Sequence, residues 1–144
     1  MIAFDVVGEP APKGSMKIRR GGRGMTNDNS RTKSWQQYVE WEALKAMRES
    51  DLDPYRDQAM TVYIEFCITR PPSHYTRAGL VKKASAEWPQ TKPDLDKLTR
   101  AVLDALEGVV YDNDSRVVCL AASKRYCDAD EEPGASVRVE VRDV

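Results

Sequence analysis

Histidine and cysteine are almost missing from this chain. His74 is the only imidazole, and the three cysteines, Cys67, Cys119 and Cys127, are odd in number and include no CxxC pair. That spacing argues against a structural zinc site and leaves the thiols reduced and packed. His74 has no neighbouring serine, cysteine or second histidine, so it reads as a surface residue rather than a catalyst. No apolar run approaches the roughly 20 residues that cross a bilayer. Met1-Ile-Ala-Phe-Asp5 lacks the basic and apolar segments of a signal peptide, so a cytoplasmic protein with no membrane partner is expected. Internal repeats and low-complexity tracts are also missing. The net charge of −1 shows no global excess of either sign.

The 144 residues fit one domain, 1–144, and 41% hydrophobic with 31% charged residues describes an ordinary globular chain. The charge, however, is uneven. Lys13, Lys17, Arg19, Arg20, Arg23, Arg31 and Lys33 face a single anion, Asp28, in a glycine-rich stretch at about 11–33 with no apolar periodicity. This basic, flexible loop is either a solvated connection or a phosphate-seeking segment. On either side the pattern is regular. Residues 2–8 read as a short strand, and a helix is predicted from Ser34 to about Ser50, capped by Ser34 or Thr32, with its aromatics in the core. Residues 58–69 alternate as a strand, and 70–92 form a second long, proline- and lysine-rich connection. Residues 116–126 and 136–144 are expected to pair as a hairpin across the acidic turn 128–134. The order of elements predicts an α+β domain, a mixed sheet with two main helices.

The densest chemistry lies in Lys92–Val118. On a helix, Asp94 and Asp96 would point about 200° apart, so they share a target only if Asp94 precedes the helix. Pro93, an N-cap type at Asp94 and the stripe Leu95, Leu98, Val102, Ala105, Leu106 ending at Gly108 support that arrangement. Asp96 then occupies the first turn with Arg100 one turn further on the same face. Asp112-Asn-Asp-Ser115 is turn chemistry that could return Asp114 beside the helix start. Converging carboxylates would call for a hard cation, Mg²⁺ or Mn²⁺, and for phosphodiester chemistry. Capping and surface-turn preferences explain the same residues without a metal. An EF-hand is excluded, because the loop starting at Asp112 has Val117 and Ser123 where glycine and glutamate are needed.

Lys92-Pro-Asp-Leu-Asp-Lys-Leu98, Leu103-Asp-Ala-Leu-Glu-Gly-Val-Val-Tyr111 and Asp114-Ser-Arg-Val-Val118 resemble the RusA family of Holliday junction resolvases, many of them carried by phages and prophages. Gly8-Glu-Pro-Ala-Pro-Lys-Gly14 and the basic loop after it are similar as well. The resemblance implies a RusA-like fold and a small homodimeric, Mg²⁺-dependent endonuclease of DNA recombination and repair, which nicks paired strands of four-way junctions and uses no small-molecule cofactor. It assigns the metal ligands to Asp94, Asp96 and Asp114 and the active-site cation to Arg100, where lysine is more usual. It makes Lys13, Lys17, Arg19, Arg20, Arg23 and Lys97 contacts to DNA. Lys97 replaces a common asparagine, Asn113 an aspartate and Arg116 a glutamine. A non-catalytic branched-DNA-binding protein and a metal-dependent nuclease of other DNA structures are the competing classes.

Replacing Arg19, Arg20 and Arg23 with alanine should weaken DNA binding. The slope of log affinity against log salt should fall by about 0.9 for each phosphate that is no longer neutralised; an unchanged slope would remove the loop from the interface.

Overall fold

The structure, a computed structural model, describes residues 1–14, 17–18, 25–26 and 30–142. In chain order its elements are β1 (Ile2–Val7), β2 (Lys17–Ile18), β3 (Met25–Thr26), α1 (Ser30–Glu49), β4 (Met60–Ile68), α2 (Leu95–Leu106), β5 (Val117–Tyr126) and β6 (Gly134–Val141). Short 3-10 turns cover Pro72–His74 and Asp114–Arg116.

Four strands form one mixed sheet in the order β1-β6-β4-β5. β6 runs antiparallel to both β1 and β4, whereas β5 runs parallel to β4, pairing Ile64 with Ala122 and Ile68 with Tyr126. The alternation in β4 buries Met60, Val62, Ile64 and Phe66 against the helices. The α+β class with a mixed sheet and two main helices is therefore as the sequence predicts.

The expected hairpin of the last two strands does not form. β4 lies between β5 and β6, because the nearly continuous buried apolar strand takes an interior place with both backbone edges paired, while the more exposed β5 takes a sheet edge.

α1 also starts four residues before the predicted Ser34. Thr32, a candidate cap, lies inside the helix, where its hydroxyl donates to the Pro12 carbonyl. Trp35, Val39, Ala43 and Met47 recur every fourth residue and form the buried face. Tyr38 and Trp41 are exposed, contrary to the expectation that the aromatics of this helix are core. α2 packs on α1, and Gln36 Nε2 donates to the Ala101 carbonyl at 3.1 Å. Within the basic stretch, β2 pairs antiparallel with β3 and residues 30–33 are helical. Residues 11–14 are held along α2, with the Lys13 amide donating to the Lys97 carbonyl at 3.1 Å.

Gly134 marks the tightest approach in the sheet. A Cβ there would lie 2.0 Å from the Val6 carbonyl oxygen, a backbone atom that cannot turn aside. Gly134→Ala should therefore separate β1 from β6 and cost about 1–3 kcal/mol or more, read as a lower urea midpoint at unchanged slope.

Candidate active site

Asp94 lies outside α2 in extended conformation, φ −70° and ψ 136°, and its carbonyl accepts the first helical bond from the Leu98 amide at 3.0 Å. Its side chain makes no capping bond and is half-exposed. Asp96 occupies the first turn, exposed. Arg100 is exposed one turn further and has no hydrogen bond or ion pair among the described residues. The helix start is held by Lys124 of β5, whose ammonium donates to the carbonyls of Thr91 and Pro93, each at 2.8 Å. Sequence reasoning missed this lysine, since only the tertiary register shows that β5 passes beneath the α2 N-terminus.

Asp114 lies at the other end of the same helix. Past Leu106 the chain turns at Gly108, φ +83°, and Tyr111 folds back so that its hydroxyl donates to the Leu103 carbonyl at 2.9 Å. Burial is the main cause that pushes the Tyr111 hydroxyl's pKa upward, and the negative charges of Asp114, Glu107 and Asp104 add to it. Those three carboxylates therefore surround the C-terminal end of α2. The ten steps from Asp96 to Leu106 rise about 15 Å at 1.5 Å each. The expected return of Asp114 to the helix start is not made within one chain. Among the described residues, Asp94, Asp96 and Asp114 do not form a group with ligand atoms within 4.8 Å of one another.

The flanking charges sort the other acids. Arg116 Nε donates to Asp112 at 3.0 Å and its NH2 to Asp57 at 3.2 Å, and the bond from Arg116 holds the Asp112 carboxyl below its usual value. Asp112 is thus occupied, whereas Asp114 has no ion pair among the described residues. Asn113, where the resemblance pointed to an aspartate, accepts from the Ser115 amide at 2.9 Å and shapes the turn.

A cleft of about 700 Å³ opens beside Asp94, between residues 9–14, the start of α1 and the start of α2. Lys13, Arg31, Lys92 and Lys97 line it together with Trp35 and the exposed Tyr38. Arg31, Lys92 and Tyr38 are additions to the residues proposed from sequence. Two of the predicted DNA contacts have internal partners: Lys13 pairs with Asp104, and Lys97 lies 3.6 Å from Asp94. Lys17 is in β2, and Arg19, Arg20 and Arg23 lie outside the described residues. His74 packs edge-to-face on Tyr126 beside Arg70, a structural position.

An exposed carboxylate pair at a helix start, beside a cleft lined by cations, is the layout of a protein that handles phosphodiesters. The chain belongs to the RusA family: the family model described as Endodeoxyribonuclease RusA matches residues 7–140. RusA-type endodeoxyribonucleases act on branched DNA junctions and depend on divalent metals. The chain is similar to the uncharacterized protein YqaN of Bacillus subtilis (strain 168), at 34% identity over 146 residues that cover 96% of this chain and 94% of that protein.

The Lys97 ammonium competes with any cation for Asp94. Lys97→Asn should strengthen divalent-cation binding about two- to five-fold, the range set by an exposed ion pair. Calorimetric titration without DNA would measure it, and unchanged affinity would mean that the pair does not compete.

Proposed function

We propose that the chain is a Mg²⁺-dependent, structure-selective endonuclease, with Mn²⁺ as an alternative ion, that resolves four-way DNA junctions by paired nicks in the cytoplasm. The observation that carries this reading is the position of Asp94 and Asp96. They lie at the N-terminus of α2, at the carboxyl end of the parallel pair β4 and β5, where α/β units present their ligand sites. Their oxygen-only chemistry fits a hard cation. When bound, the cation supplies an activated water and neutralises charge on the phosphodiester. Asp94, Asp96 and Asp114 orient that cation, and the unpaired fork of Arg100 stabilises the phosphate oxygens one turn away. Lys13, Lys17, Arg19, Arg20, Arg23 and Lys97 contact the backbone of the junction without reading its sequence.

The separation of Asp114 supports a homodimer in which each site draws on both chains. β5 is a sheet edge of ten residues that exposes Val118 and Leu120, a template for pairing with a second copy. Antiparallel pairing of two such edges about a two-fold axis would lay the start of one β5 beside the end of the other. Asp114 of one copy would then approach Asp94 and Asp96 of the second. Two equivalent sites suit a substrate with two equivalent strands.

Non-catalytic binding of branched DNA is the second reading, favoured by the distance of Asp114 within one chain and by Lys97 on Asp94; it predicts junction binding without nicking in either Mg²⁺ or Mn²⁺. Cleavage compared across junction, fork, duplex and single strand separates junction resolution from nuclease action on other DNA structures.

Asp96→Asn should abolish junction cleavage while leaving binding intact, and full cleavage by the purified variant would sink the site. Asp96→Asn and Asp114→Asn chains refolded together should regain nicking of one strand, because a shared site leaves one of the two intact. Inactive mixtures would return the site to a single chain.

A further inference from the structure

Cys67 is the penultimate residue of β4 and Cys127 follows the last residue of β5. Parallel register, which pairs Ile68 with Tyr126, sets them side by side, closed by the Cys127 amide donating to the Ile68 carbonyl at 2.8 Å. Glu131 reaches them from the acidic turn. The two sulfurs and a Glu131 oxygen all lie within 4.8 Å of one another, in the single such group among the described residues. Both cysteines are buried, 7% and 8% exposed. We propose that Cys67, Cys127 and Glu131 hold a zinc-class divalent cation, at a site separate from the aspartates of α2.

The geometry needs little adjustment. Tetrahedral zinc, with Zn–S near 2.3 Å and Zn–O near 2.1 Å, puts its ligand atoms about 3.5–3.8 Å apart. Closure by at most about 1.3 Å therefore suffices. The carboxylate is already oriented: Arg125 grips it with two bonds of 2.6 Å, and the Asp128 amide adds one of 3.0 Å. A carboxylate offers about four lone-pair positions, so one remains for a cation. Such outer bonds aim a metal ligand and are part of a working site. Glu131 is a third exposed, which leaves the fourth coordination position to water.

Charge does not exclude the ion. Binding exchanges two thiol protons for one divalent cation, so the total charge beside Arg125 is the same before and after. Burial, the main cause, raises both thiols, which keeps them protonated and slow in disulfide exchange when no cation is present. Thiolates discriminate for zinc over magnesium far more strongly than the all-oxygen α2 aspartates do, so softness separates the two sites. The bound ion would tie the 128–133 turn to the end of the sheet.

The test uses the full reduced chain carrying Asp94→Asn and Asp96→Asn, so that failure of the endonuclease reading does not affect it. One equivalent of Co²⁺ should give a thiolate-to-cobalt charge-transfer band, discharged by one equivalent of Zn²⁺. Cys67→Ser and Cys127→Ser should lose the band and Cys119→Ser should keep it. Glu131→Gln, which leaves both thiols in place and guards against misfolding of the serine variants, should weaken zinc binding about ten-fold or more. Absence of the band, its persistence in both serine variants, unchanged affinity in Glu131→Gln, or a Cys67–Cys127 disulfide in the unreduced chain would each overturn the proposal.

Discussion

A parallel strand pair cannot be closed by a turn. To bring β5 alongside β4 in the same direction, the chain must travel back the length of the sheet, and α2 is that return path. The helix therefore starts at the carboxyl end of the two strands and finishes at the amino end of β5. Asp94 and Asp96, fixed to its start, and Asp114, fixed to the turn before β5, are held apart by this connectivity. The acidic stretch is continuous in sequence, yet its two halves face opposite ends of the sheet. What looks like a local motif is the two ends of a crossover.

The same crossover determines how cations are used. Lys124 lies about 23 Å along β5 from its start, at 3.3 Å per residue, and there it bonds main-chain carbonyls just before Asp94. Lys13 and Lys97 pair with Asp104 and Asp94, and Arg116 with Asp112. Several of the charges nearest α2 thus compensate carboxylates of the protein itself. Arg100 is the cation on this helix with no such partner among the described residues.

Local signals in the sequence proved strong where one segment decides its own structure. Pro93, the capping position of Asp94, the apolar stripe and Gly108 define α2 to within two residues, because caps and periodicity act within a few residues. The α+β class follows from the alternation of strands and helices. Features decided by partners far along the chain were hidden. β4 entering between β5 and β6 depends on pairing energies that the hairpin pattern does not encode. The meeting of Cys67 with Cys127 depends on register, so cysteine spacing pointed away from it. Thr32 resembles a cap but serves the Pro12 carbonyl, and Tyr38 matches the core period but faces a cleft.

Arg70 and Lys124 bracket the long connection of residues 70–92. Arg70 stacks over Tyr126 at 4.2 Å and donates to the Ala86 carbonyl at 2.8 Å, while Lys124 holds the carbonyls of Thr91 and Pro93. Both grips end on main-chain oxygens, which every residue type supplies. The exposed side chains of Leu80, Val81 and Trp88 take no part in either grip. Substitutions at those exposed positions can therefore reshape the surface of the connection while the two main-chain grips keep the start of α2 where it is.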